Sequence, residues 1–296
     1  MYDFSDFSSP VLLRGDERSA FRDPAVYYHN GLFHLFFTLV ETEEDGRVFL
    51  YLGYTTSRDL KAFAPVRKLT PRDQSLNYSS PGNVIRFNDE YVICFQSYCR
   101  ENGEKYGNDN SRLFIMRSAD LVHWSAPELL RVKGNEVPRE QMGRMIDPYL
   151  IQGKDELWYC FFKHKGGASY SRSCDLLNWE YCGHMACGEN VCVLRQGELY
   201  RLWHSPKNGI GEKVSTDLIH WTDTGKLITL GQQHWDWAKG RLTAAMILDL
   251  RDEPEIGVAL LFFHGTGPED ESVIFDQHAC IGFAWSSDLE HWKYIQ

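Results

Sequence analysis

Three acidic residues stand where short apolar strands begin. They are Asp23 in Phe21-Arg22-Asp23-Pro24, Asp147 in Met145-Ile146-Asp147-Pro148, and Glu189 in Cys187-Gly188-Glu189-Asn190. A carboxylate at the mouth of a buried strand is costly unless it finds partners. One such residue would read as a strand cap bonded to a turn N–H; three in matching settings point to a shared site. Carboxylates brought close push one another's pKa values apart, leaving a protonated acid beside an ionised base. Cleavage of a glycosidic bond requires that division of labour. Arg22, next to Asp23, can donate a charged hydrogen bond to a sugar hydroxyl or to the acid pair.

The elements that must position these groups follow from a repeat. A Ser-x-Asp-Leu-x-x-aromatic signature occurs at residues 57–63, 118–124, 173–179, 215–221 and 286–292. Ser and Asp bond the backbone N–H groups of a tight turn, Leu fills the space beneath, and the aromatic residue opens the next strand. Each copy follows two short apolar runs joined by a turn: 24–28 with 32–37, 82–86 with 91–95, 148–151 with 157–162, 191–194 with 199–203, and 243–248 with 258–263. Helical periodicity is nowhere sustained. Five such units predict an all-β, five-bladed β-propeller forming a single domain over residues 1–296. Only four residues follow Trp292, so Val11-Leu12-Leu13 is expected to supply the last outer strand and close the ring.

In a propeller the first strand of each blade lines the central channel, so strand openings name the pocket. Blade two opens at Ser79-Ser80-Pro81 and blade five at Arg241-Leu242-Thr243. Asp23, Asp147 and Glu189 are expected at equivalent positions and should converge on one axis. Each second strand runs back to the same face, which places Thr38, Ser97, Tyr98, His164, His204, Ser205 and His264 near it. Arg22, Ser80, His164, His204 and His264 are the candidates for substrate contact.

Composition narrows the partners. A net charge of −10 argues against nucleic acid, whose phosphates call for a basic surface. No apolar run approaches the roughly 20 residues that span a bilayer. The opening residues Met1 to Asp6 carry neither a basic nor an apolar leader segment, which leaves a cytoplasmic protein, the expectation adopted, or a mature chain whose leader has been removed. The eight cysteines lack the paired spacing of a zinc site; Cys182, Cys187 and Cys192 lie close together but read as buried thiols in a reducing compartment. Nothing calls for a cofactor. The 9 Trp, 15 Tyr and 17 Phe suit pleated strands first and sugar-stacking platforms second.

The Asp-Pro openings at 23 and 147, Glu189 in blade four and the recurring Ser-x-Asp-Leu-x-x-Trp resemble glycoside hydrolase family 43 across nearly the whole chain. The related β-fructosidase-like families share its five-bladed fold. The resemblance implies that Asp23 activates water as general base, Glu189 protonates the leaving oxygen, and Asp147 tunes and orients that acid. It implies an inverting glycosidase acting on short xylose- or arabinose-containing oligosaccharides. A retaining β-fructosidase-like hydrolase and a non-catalytic carbohydrate-binding propeller remain alternatives. His264, in Phe263-His264-Gly265, resembles the family's axial histidine near the channel, and with it comes room for a structural calcium there.

Overall fold

A computed structural model describes residues 3–296; Met1 and Tyr2, with which the expected single domain begins, lie outside the described residues. Five antiparallel sheets stand in a ring. Blade one consists of strands Ser19–His29, Leu32–Thr42, Val48–Ser57 and Arg67–Lys68. In blade two the inner strand is split into Tyr78–Ser79 and Val84–Phe87, followed by Glu90–Ser97, Leu113–Ser118 and Glu128–Leu129. Blade three runs Ile146–Gln152, Trp158–His164, Gly167–Ser173 and Glu180–Met185, and blade four Glu189–Gln196, Leu199–Ser205, Ile210–Ser215 and Thr222–Ile228. Blade five has Arg241–Leu250, Val258–Thr266 and Cys280–Ser286, and its outer strand is Val11–Leu13, as expected.

The repeated turn explains why these strands end where they do. In blade one the Ser57 hydroxyl accepts from Leu60 N (2.8 Å), and Asp59 Oδ1 accepts from Lys61 N and Ala62 N, each 2.9 Å. The same bonds recur at Ser118, Ser215 and Ser286. Each turn forces its leucine into the left-handed region, with φ of 57° to 65° at Leu60, Leu121, Leu176, Leu218 and Leu289. That conformation is unusual for a γ-branched residue, and burial of all five leucines compensates for it. The closing Trp124, Trp179 and Trp221 each donate Nε1–H back to the leucine carbonyl.

Between blades the faces pack through aromatic side chains. Phe33, Phe36, Phe37, Phe95, Phe161, Phe162, Phe262, Phe263 and Phe283 are fully buried. Phe36 and Phe37, Phe161 and Phe162, and Phe262 and Phe263 are sequence neighbours that point to opposite faces, so both faces of these second strands are buried. All eight cysteines are free; Cys192 is buried, but Cys182 is exposed and Cys187 half-buried, so the expectation of buried thiols fails for those two. Cys182 lies on the outer strand Glu180–Met185 of blade three, and Cys187 in the link to blade four, where it packs against the edge of the core. No helix among the described residues is long and apolar enough to cross a membrane.

Candidate active site

At one end of the channel a cavity of about 470 Å³ is lined by Arg22, Asp23, Asp147, Glu189, Arg241, His264 and Glu271, with Tyr98, Tyr106 and Phe275 among its walls. Its size is that of small-ligand pockets generally. A smaller space beneath, about 20 Å³, is ringed by Asp23, Ser80, Asp147, Asn190 and Ala244.

Those five ring residues are the true equivalents across the blades. Each has φ between 44° and 56°, the left-handed region. In blades one, three, four and five it opens a β-bulge, where two residues face one: 23–24, 147–148, 190–191 and 244–245. A bulge re-aims side chains that regular alternation would send to opposite faces. Arg22 and Asp23, Ile146 and Asp147, and Glu189 and Asn190 all reach the same cavity as sequence neighbours. The expectation that Asp23, Asp147 and Glu189 are equivalent is therefore corrected. Asn190 matches the two aspartates, while Glu189 matches Arg22, Ile146 and Thr243 one residue earlier. Glu189 enters the cavity because its longer side chain starts from that earlier position.

The second strands show a matching register. Thr38, Lys163, Ser205 and His264 pair with Arg22, Ile146, Glu189 and Thr243, and Gln96 pairs with Ser79. Four of these side chains accept the N–H of the ring residue in the next blade. His264 Nδ1 accepts from Asp23 N (3.1 Å), Thr38 Oγ1 from Ser80 N (2.7 Å), Gln96 Oε1 from Asp147 N (2.6 Å), and Ser205 Oγ from Ala244 N (2.8 Å). The fifth is Lys163, which has no acceptor and pairs with the Glu189 carboxylate instead. His164 lies one residue beyond this register and His204 one short of its counterpart Ser205. A one-residue slip turns a strand side chain to the other face, so neither lines the cavity. His164 bonds Lys133 and Ser169, and His204 Nδ1 accepts from Gly188 N. Burial pushes both imidazoles down to about 4, which leaves them neutral near pH 7.

The carboxylates differ in environment. Asp23 Oδ2 accepts from Thr38 Oγ1 (2.8 Å), and its Oδ1 lies 3.5 Å from His264 Nδ1. Asp147 is 8% exposed and accepts from Ser80 Oγ (2.9 Å). Ser80 thus supports Asp147 from below rather than facing the main cavity. Burial, followed by the negative charge of Glu189, pushes the Asp147 carboxyl up to about 7. Asp147 accordingly holds a proton far closer to neutrality than an ordinary aspartate. The Glu189 side chain is 23% exposed; one oxygen pairs with Lys163 and the other accepts from Arg241 Nη2 (2.8 Å). Arg22 is buried, donates to Phe275 O (2.8 Å), and pairs with Glu271.

Sequence reasoning passed over Lys163, Gln96 and Glu271 and quoted Arg241 without choosing it. Lys163 and Gln96 share the register of Thr38 and His264, which only the strand pairing reveals. Glu271 lies in an irregular connection with no repeat to mark it. For calcium the fit is poor. His264 spends Nδ1 on the Asp23 amide, and among the described residues no group of three or more His, Cys, Asp or Glu is arranged to hold a metal ion.

No family model matches the sequence, and no curated protein matches it. Solved structures do. An exo-1,5-α-L-arabinanase from a bovine ruminal metagenomic library has a TM-score of 0.63 at 14% identity, covering 91% of this chain and 94% of that one. An α-L-arabinofuranosidase from Lactobacillus brevis gives 0.64 at 11%, covering 96% and 95%. A thermostable family-43 glycoside hydrolase gives 0.62 at 12%, covering 94% and 93%. The fold is theirs. At such identities the likeness extends to the five-bladed architecture, and the chemistry rests on the geometry above.

Proposed function

We propose that this chain is a glycoside hydrolase that cleaves short arabinose- or xylose-containing oligosaccharides by an inverting acid/base mechanism in a reducing, cytoplasmic setting. The observation that carries the reading is the convergence of Asp23, Asp147 and Glu189 on one cavity through bulged inner strands. The names of the similarly folded arabinanase and arabinofuranosidase support the sugar class, and eight free thiols suit a reducing compartment.

In this reading Asp23 is the base. Its Oδ2 is occupied by Thr38, which fixes the carboxylate and leaves Oδ1 toward the cavity to take a proton from water. Glu189, longer and more exposed than Asp147, delivers the proton to the leaving oxygen. Asp147 stands beside it as a buried carboxyl raised by its loss of water and by the Glu189 charge. Arg22 and Arg241 orient the site through their ion pairs and offer donors at its edge.

A panel of nitrophenyl glycosides, with NMR of the first product anomer, tests this. The arabinofuranoside and xyloside members should be hydrolysed, with the anomeric configuration inverted in the first product. Retention would overturn the mechanism, and binding without turnover across the panel would overturn the enzyme itself.

A further inference from the structure

Glu271 is 5% exposed and lies in the connection between strands Val258–Thr266 and Cys280–Ser286. That connection walls the cavity off from an outer groove of about 580 Å³. It is pinned at its far end, where Arg100 donates to both Asp276 oxygens (2.7 and 2.8 Å). The Phe275 ring lies under the Arg22 guanidinium at 4.1 Å, with Tyr106 edge-on at 5.0 Å. Four groups face Glu271: Arg22 from blade one, Arg241 and His264 from blade five, and its neighbour Asp270. Arg22 takes Oε1; Arg241 Nε is 2.9 Å and His264 Nε2 3.9 Å from Oε2. Burial would raise this carboxyl, but Arg22, His264 and Arg241 hold it well below the ordinary range, so it is a fixed negative charge.

The pairs join into a chain of alternating sign: Arg22, Glu271, Arg241, Glu189, Lys163. Arg241 is shared between two carboxylates. We propose that Glu271 is a positioning residue that divides the Arg241 guanidinium with Glu189 and thereby sets how readily Glu189 holds a proton. The proposal rests on the reading of Glu189 as the acid for its catalytic consequence, but not for the coupling itself. Without the Glu271 charge, Arg241 would pair with Glu189 alone, the ionised form of Glu189 would gain, and its titration would move to lower pH.

The test follows the ¹³C signal of the Glu189 carboxyl in labelled protein, assigned by its loss in Glu189→Gln. Glu271→Gln should lower the Glu189 titration midpoint by about one pH unit. Glu271→Asp, which keeps the charge, should leave it near the wild-type value. In an Arg241→Gln background the effect of Glu271→Gln should fall by more than half. Asp276→Asn loosens the same wall from its other end and should raise KM while leaving the midpoint unmoved. The alkaline limb of the kcat profile should follow the midpoint for substrates with poor leaving groups. An unmoved midpoint in Glu271→Gln, or an equal movement in Asp276→Asn, overturns the proposal. Should Glu271→Gln fail to fold, Arg241→Gln alone decides: it must raise the Glu189 midpoint, and no change overturns the chain. A shifted midpoint in a protein that hydrolyses nothing would refute the enzymatic reading and leave the coupling standing.

Discussion

Asp147 shows how the three carboxyl groups come to differ. Its carboxyl loses water to burial and faces the charge of Glu189, whereas Glu189 is held between Lys163 and Arg241. In the folded chain Asp147 titrates near pH 7 and in the unfolded chain near 3.8. Between those values the native state binds more protons than the unfolded one, so this group makes stability fall as pH rises. Asp147→Asn keeps an acceptor for Ser80 and abolishes that contribution. The melting temperature of the variant relative to wild type should therefore climb between about pH 4 and 7 and be highest above 7; a pH-independent difference would contradict the assignment. Catalytic roles separate by leaving group. Glu189→Gln should cost on the order of 10²–10⁴ in kcat on substrates with poor leaving groups, and much less on activated aryl glycosides. Asp23→Asn should be impaired on both, with azide restoring turnover. If Asp147→Asn shows the leaving-group dependence and Glu189→Gln does not, the two roles exchange.

At the scale of the element, the bulge and the Ser-x-Asp-Leu turn each impose a backbone conformation that most residues resist. Asp23, Asp147 and Asn190 suit the left-handed bulge position because short polar side chains tolerate it; Ala244 occupies it at a cost. In the turn of blade three, Asp175 accepts from Asn178 N and Leu177 N, and these bonds hold its carboxyl well below the usual carboxylate range. Asp175→Ala should lower the melting temperature by roughly 2–4 °C at pH 7, the shift that about 1 kcal/mol produces in a chain of this class. Because the folded pKa is depressed, that deficit should be constant above about pH 4 and shrink as pH falls further. A loss that grows toward acid would show that the turn depends on something else.

Over the whole molecule, closure of the ring depends on the N-terminal segment. Val11–Leu13 completes blade five, and Phe4 is buried against Phe283 and Trp285. Phe4→Ala should cost about 3 kcal/mol through the cavity it leaves, with a fall in melting temperature of about 6–10 °C. Unfolding in two resolved steps would mean instead that blade five melts independently of the ring.

The five-fold architecture was legible in the sequence because the turn that ends each third strand is a local device. The Asp of the signature accepts the same two backbone N–H groups in all five copies and the Leu is buried in each, so counting the signature counts the blades. The pairing of Val11–Leu13 with the last blade was legible for a similar reason: a sheet short of one strand must be completed by whatever apolar run remains. The site was legible in part. Asp23, Asp147 and Glu189 could be named from type and setting, but their register could not. Glu189 precedes the ring position that Asn190 occupies, and His164 and His204 sit one residue away from Lys163 and Ser205. A bulge adds one residue without altering the apolar pattern on either side, so the sequence carries no mark of which neighbour turns inward. Only the paired strand decides that. Glu271 was invisible for a further reason: it reaches Arg22 and Arg241 from an irregular connection, and ion pairs between residues 249 positions apart exist only once the ring has closed.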